Sequence, residues 1–231
     1  MNKSVSIFLP TRAGSQRVKH KNTRTFADIE GGLLYLKLNQ LLQVPEVSEV
    51  VLSTNDQESI EVAQNFRSHS KLKVIKRPDH LAQSSTNLMD LVNYVPEVCQ
   101  SSHILWTHVT SPLVKTTDYS KAIQTYFKSL ESGYDSLMSV KEIQNFVWSR
   151  SENKVLNKAE DEEKKWPRTQ DLQKIYEVNS AIFMASRAIF QTEKDRIGKS
   201  PFLLPHNQIQ STDVDWEEDF KLAEILYENI K

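Results

Sequence analysis

The chain has little cysteine, little glycine and no long apolar run, and each shortage closes off a class of protein. Cys99 is the single cysteine in 231 residues, so neither an intrachain disulfide nor a cysteine-rich zinc site can form, and a reducing compartment suits it. No stretch has the length and apolarity of a bilayer span, and the opening Met-Asn-Lys runs into a short strand of mixed character rather than a signal peptide. The cytoplasm is therefore the expected location, with no membrane partner. A surplus of one charge is missing as well: 29 lysines and arginines face 30 aspartates and glutamates, for a formal charge of -1. A nucleic-acid partner would call for a basic excess. The five glycines form neither G-x-x-x-x-G-K-[ST] nor G-x-G-x-x-G, which removes the P-loop and the dinucleotide fingerprint.

What is present is an ordinary globular composition, long enough to bury a core, and a regular alternation of patterns. "VSIFLP" (5–10) reads as a buried strand, and "GLLYLKLNQLLQ" (32–43) sets Leu34, Leu38, Leu41 and Leu42 on one helical face. "VSEVVLSTN" (47–55) is the next strand, and "DQESIEVAQNF" a helix with an acidic first turn. "KLKVIKRP" (71–78) alternates and stops at proline, and "TNLMDLVNYVPEV" predicts a helix capped by Thr86. "SHILWTHVTSP" (102–112) reads as a strand, followed by a helix through Tyr119, Ala122, Ile123, Tyr126, Phe127 and Leu130, then "YDSLMSV" (134–140) as a strand. Strand and helix in turn predict an α/β fold, a mainly parallel Rossmann-like sheet flanked by helices, with ligands at the carboxyl ends of the strands.

Between 141 and 177 the pattern breaks into a charged tract, "SENKVLNKAEDEEKKWPRTQDLQ", which reads either as a solvated loop or as an inserted segment that packs on another chain. "YEVNSAIFMAS" (176–186) resumes as a strand. A short strand within "NQIQSTDVD" meets Asp213 and Asp215, before a last helix that carries Trp216, Phe220, Ala223, Tyr227 and Ile230 on one face. With no repeat and no low-complexity linker, 1–231 is expected to be one domain with one excursion.

The chemistry concentrates at two places. Directly after the first strand, Arg12, Arg17, Lys19 and Lys21 surround Gly14, a residue that lets backbone approach an anion closely. Such a cluster in a chain without net positive charge points to a small anionic ligand. Near the far end, Asp213 and Asp215 stand two apart on an extended segment, so both carboxylates share a face and suit Mg²⁺. Asp215 with Glu218 also has the spacing of a capping box; Asp213 has no such alternative. His108 near a strand end reads on its own as a packed or hydrogen-bonding residue.

"PTRAGSQRVKHKN" (10–22) resembles the first motif of the bacterial CMP-sugar synthetases, the acylneuraminate cytidylyltransferases that activate sialic acid and related nonulosonic acids. "VVLSTND" (50–56), "KRPDHLAQSS" (76–85), "HVTSPL" (108–113), "RTQDLQKIYEVNSAIF" (168–183) and "TDVDWEEDFKLAE" (212–224) are similar to later motifs of that family, in the same order. The resemblance implies a fold of the nucleotide-diphospho-sugar transferase type and transfer of CMP from CTP to the anomeric hydroxyl of a sugar acid, with release of pyrophosphate. It implies catalytic roles for Arg12, Lys21 and Asp213, and nucleotide contacts from Arg12, Gly14, Ser15, Arg17, Lys21, Asn22, Arg77 and Ser85. It further implies Mg²⁺ on Asp213 and Asp215, and sugar contacts from His108, Thr110, Ser111, Arg168, Gln170 and Asn179. The segment 141–177 would serve a homodimer. Departures from the family wording fall at Gln16 for lysine, His108 for glutamine, Ser180 for glycine, and Gln83 and Ser84 where an acidic residue is common. A Kdo cytidylyltransferase, and a catalytically silent nucleotide-binding or assembly protein of the same fold, are the alternatives.

Overall fold

Val5, Ile7 and Leu9 of strand β1 (Val5–Pro10) pack in one cluster of buried side chains and Phe8 in another, and all four are fully buried. A strand covered on both faces belongs inside a sheet that carries helices on each side, and that is where β1 lies. The computed structural model describes residues 3–83, 85–159 and 164–230. Its large sheet uses β1, β2 (Val47–Thr54), β3 (Leu72–Lys76), β4 (His103–Trp106) and β5 (Ser136–Ile143). A two-residue pair, β6 (Trp148–Ser149) and β7 (Lys154–Val155), stands apart, and β8 (Ile175–Ser186) and β9 (Pro201–His206) complete the large sheet in the order β3-β2-β1-β4-β8-β5-β9.

Helices α1 (Gly32–Leu42), α4 (Thr116–Glu131) and α6 (Glu217–Asn229) cover one face, where Leu34, Leu38, Tyr119, Ile123 and Phe220 meet the β1 aliphatics. The other face carries α3 (Leu88–Val98) and α5 (Arg187–Thr192) over Phe8, Trp106 and Phe183, with Phe8 and Trp106 edge to face at 4.9 Å. Helix α2 (Gln57–Ala63) joins β2 to β3. No helix among the described residues is long and apolar enough to cross a membrane.

The prediction of a mainly parallel sheet needs a correction in its second half. The pairs β1–β2, β1–β4, β2–β3 and β5–β9 are parallel, whereas β8 runs antiparallel to both β4 and β5. Across β8 the register of β5 slips between Met138 and Val140, and facing that slip Ser180 takes the left-handed backbone conformation at φ 56. This is the position where the related motif carries glycine, the residue that adopts such a φ without a steric penalty.

Several local expectations also change. The 102–112 strand ends at Trp106, and 107–112 form the loop after it. Asn87 caps α3 by accepting from the Met89 N–H at 3.0 Å, while Thr86 donates to the His80 carbonyl at 2.9 Å. Asp219, not Glu218, closes the turn before α6, accepting from the backbone N–H of Asp215 and Trp216 at 3.1 and 2.8 Å. "NQIQSTDVD" holds no strand; the strand lies earlier, at β9. Within the described part of the charged excursion, Asn157 is fully buried and ties Asn145, Val147 and Gln173 together. Ser84 and residues 160–163 lie outside the described residues.

Candidate active site

The end of β1 sends residues 11–31 across the carboxyl edge of the sheet. Buried Val18 and Phe26 anchor this loop from beneath, and Gly32 fixes its return. A Cβ at Gly32 would stand 2.0 Å from the Arg24 carbonyl oxygen, so only glycine lets the loop close against α1, where the Leu34 N–H donates to Asn22 O at 2.8 Å. Gly14 has φ 79 with open space around it; its need for glycine is conformational.

Two adjoining hollows open on this loop. One, of 280 Å³, is lined by Arg12, Gly14, Ser15, Lys19, Lys21 and Asn22, with Asp56 and Glu58 at its side. The other, of 250 Å³, shares Arg12, Ser15, Lys21 and Asn22 and runs on to Arg77, Trp106, His108 and Thr110. The first is a basic cradle, and the second adds aromatic and polar groups. Lys19 lines the cradle, whereas Gln16, which stands where the related motif carries lysine, does not.

The segment 213–217 reaches the same place from the far end of the chain. Val214 is fully buried and its N–H donates to Thr110 O at 2.9 Å. With Val214 turned into the core, Asp213 and Asp215 turn towards the β1 loop. Lys21 Nζ donates to Val214 O at 2.8 Å and stands 3.7 Å from Asp215 Oδ1, which also accepts from Arg17 at 2.7 Å. Arg24 grips Glu217 with two bonds of 3.1 Å and lies over the Phe220 ring, its guanidinium carbon 3.9 Å from the ring centre. Sequence reasoning missed the Arg24–Glu217 clasp; an ion pair across 193 positions leaves no local signal.

Burial decides the electrostatics. It lowers the Lys21 pKa, an effect only partly offset by Asp215 and Asp213. Burial likewise raises the Asp213 carboxyl, helped by the like charge of Asp215 and opposed by Thr110 and Lys21. Asp213 Oδ1 is buried with no hydrogen-bond partner. An unsatisfied carboxylate oxygen beside a second carboxylate fits a hard divalent cation whose remaining ligands are water and phosphate oxygens. Among the described residues no group of three or more His, Cys, Asp and Glu converges to hold a metal unaided.

His108 Nε2 accepts from the Trp106 indole N–H at 3.0 Å. The ring is then a neutral donor through Nδ1, and burial, reinforced by Arg196, Lys21 and Arg77, takes its pKa down to about 3. In hydrogen-bonding terms it offers what the family glutamine offers, a neutral N–H. Arg77 is buried, binding Ser53 Oγ at 3.2 Å and Thr11 O at 2.9 Å, and burial takes its pKa down to about 10. It staples the ends of β1 and β2 under the cleft.

Not every expected contact reaches these hollows. Ser111 is buried and its carbonyl accepts from Lys37 Nζ at 2.8 Å. Ser85 is exposed and donates to Gln83 at 3.4 Å. Asn179 is occupied by Ser139, His206 and Ser211 at 2.6, 3.2 and 3.3 Å. Arg168 is exposed and paired with Asp171 at 2.7 Å, with Gln170 exposed beside it on the excursion. None of these five lines either hollow.

A parallel-dominated sheet with a basic anion cradle and a carboxylate pair at its carboxyl edge defines a nucleotide-handling α/β enzyme. Comparison with known proteins narrows this: residues 7–231 match the cytidylyltransferase family, and the chain belongs to it as a nucleotidyltransferase. It is 29% identical over 231 residues to a pseudaminic acid cytidylyltransferase of Campylobacter jejuni, covering 95% of this chain and 94% of the relative. It is also 24% identical over 221 residues to post-translational flagellin modification protein B of Campylobacter coli, covering 93% and 91% of the two chains. Among solved structures, CMP:2-keto-3-deoxy-manno-octonic acid synthetase complexed with CTP superposes with a TM-score of 0.69 at 16% identity, over 99% of this chain and 100% of the other. A 4-diphosphocytidyl-2C-methyl-D-erythritol synthase of Anaerococcus prevotii gives 0.65 at 9% identity, over 97% and 96%. These two likenesses concern the fold.

Proposed function

We propose that the protein transfers CMP from CTP to the anomeric hydroxyl of a nonulosonic acid and releases pyrophosphate. The observation that carries this reading is Lys21, whose ammonium joins the anion cradle to the Asp213–Asp215 segment within one hydrogen bond. The cradle of Arg12, Gly14, Ser15, Lys19 and Lys21 receives the triphosphate, and Asn22 helps hold the loop through its bonds to Arg12 O and Leu34 N–H. Arg17 and Lys21, which both face Asp215, then have phosphate oxygens as second acceptors. The hydroxyl oxygen bonds to the α-phosphorus as its proton passes to water, the bond to the bridging oxygen breaks, and the cradle stabilises the charge that leaves with pyrophosphate. Asp213 and Asp215 would hold Mg²⁺, which when bound neutralises phosphate oxygens and acidifies the attacking hydroxyl. Neutral His108 and Thr110 line the acceptor end, where His108 supplies a donor without competing for the proton.

Pseudaminic acid is the first acceptor to test, because the Campylobacter jejuni relative acts on it by name. The experiment is pyrophosphate release with Mg²⁺ and CTP against pseudaminic, legionaminic and N-acetylneuraminic acids and Kdo. Release with a nonulosonic acid supports the reading; release with Kdo alone makes the protein a Kdo enzyme, and silence with CTP still bound makes it a nucleotide-binding protein.

The excursion belongs to a homodimer in this reading. Phe146, Trp148 and Trp166 are exposed there, with Trp148 and Trp166 stacked at 6.2 Å, and Tyr176 and Val178 of β8 are exposed as well. Exposed aromatics gathered on one excursion are the material of an interface. A second copy seated on them would give Arg168 and Gln170 a route to the partner's cleft. Sedimentation of wild type and Trp166→Glu tests this, with a dimer expected for the first and a monomer for the second.

A further inference from the structure

One cation beside the acceptor end makes no side-chain hydrogen bond, and the neighbouring Asp195 acts on it only electrostatically. Arg196 lies in the turn between α5 and β9, half-buried, with its guanidinium carbon 3.7 Å from the centre of the Phe183 ring and 5.4 Å from that of Trp106. Trp106 lines the cleft and donates to His108, so the guanidinium stands one side chain away from the cleft wall. Phe183 pairs with Trp106 across β8 and β4, which puts all three groups at the carboxyl end of β4. Among the described residues the guanidinium makes no hydrogen bond. Asp195, its sequence neighbour, accepts instead from the Arg196 backbone N–H at 2.6 Å.

Three other arginines around the site are treated differently. Arg17 has Asp215, Arg24 has Glu217 and Arg77 has backbone carbonyls. Five donors kept partly out of water without an acceptor carry a desolvation cost, and stacking on rings recovers only part of it. Stacking also leaves the in-plane N–H groups free, in the fork geometry that meets a carboxylate with two parallel bonds. Lys21, Arg77 and Arg196 together make the surroundings of His108 positive. An anion is the missing element there.

We propose that Arg196, lying over Phe183 beside Trp106, is the counter-charge for the carboxylate of the acceptor sugar, with neutral His108 as the adjoining donor. This rests on the reading that the acceptor is a sugar acid. It separates the two anions of the reaction, with the triphosphate on the β1 loop and the carboxylate at the β4–β8 end.

The test compares wild type with Arg196→Met, Arg196→Gln and Arg196→Lys on the acid that wild type turns over and on its carboxamide. Loss of the ion pair in Arg196→Met should raise the KM for the acid by about tenfold or more, with the KM for CTP and the thermal midpoint unchanged. Arg196→Lys should recover part of the loss. Wild type should prefer the acid to the carboxamide, and Arg196→Met should not. Where Arg196→Met fails to fold, Arg196→Gln gives the same reading with a planar neutral donor. A variant that keeps the wild-type KM for the acid, or the wild-type preference over the carboxamide, overturns the proposal. Absence of turnover by wild type on every sugar acid overturns the substrate reading first and is seen without any variant.

Discussion

The two ends of the cleft are held in place by different means. At the nucleotide end, charged side chains do the holding: Arg17 meets Asp215 across 198 positions and Arg24 meets Glu217 across 193. Behind the acceptor end, outside the hollows themselves, polar groups are held by backbone and core. Lys37, fully buried on α1, donates to Ser111 O at 2.8 Å and Tyr119 Oη at 2.9 Å, and Asn179 is held by Ser139, His206 and Ser211. In the proposed reading the contrast suits the ligands. A triphosphate has a fixed shape and charge that a clasp of ions can match, whereas sugar acids differ in substituents that a packed wall must sort by shape.

The largest effect should come from reversing charge at the hinge of that comparison. Lys21→Glu should lower turnover by about a thousandfold, since one well-placed donor to a charged transition state is worth about that much. Steady-state kinetics beside a circular dichroism check would settle it, and near-normal turnover would remove the β1 loop from catalysis. Asp213→Asn comes next, with turnover down by about a hundredfold. Its stability should move the opposite way, up by about 1 kcal/mol in urea titration, because a buried carboxylate oxygen without a partner is replaced by a neutral group. A variant both inactive and less stable would mean that Asp213 supports the fold instead.

The acceptor end yields smaller effects, read as stability. Burial brings the Lys37 pKa down to about 7 from its ordinary 10.5, with Asp118 opposing. Between those values the unfolded chain binds more protons than the folded one, so stability climbs as pH rises through this window and is flat below it. Lys37→Met should lack that climb, which urea midpoints measured from about pH 6 to pH 9.5 would show; equal slopes in the two proteins would place the ammonium in contact with water. Smallest of all, Ser180→Gly should add about 1 kcal/mol by relieving left-handed strain, with kcat unchanged. A loss of stability there would show that the serine is not strained at φ 56.

The same contrast explains what the sequence could show. The cationic cluster around Gly14 and the paired Asp213 and Asp215 were legible because each is a local pattern with a local chemical meaning. Their union was not, since Lys21 reaches Val214 O across 193 positions. The direction of β8 depends on how the excursion returns the chain, which periodicity does not record. β9 was missed because Pro201 and Pro205 make "PFLLPH" look like a turn; at a sheet edge, paired only with β5, those prolines are tolerated. The cap at Asn87 rather than Thr86 is a choice between neighbouring capping residues, of which asparagine is the better, decided by which side chain reaches the Met89 N–H.

The most direct test of the division of labour at the nucleotide end is calorimetric titration of CTP into wild type and Asp213→Asn at several Mg²⁺ concentrations. With phosphates on the β1 loop and the metal on Asp213 and Asp215, Mg²⁺ should tighten CTP by about tenfold or more in wild type, and the variant should bind CTP without that dependence. A variant that keeps the full Mg²⁺ dependence would contradict the assignment.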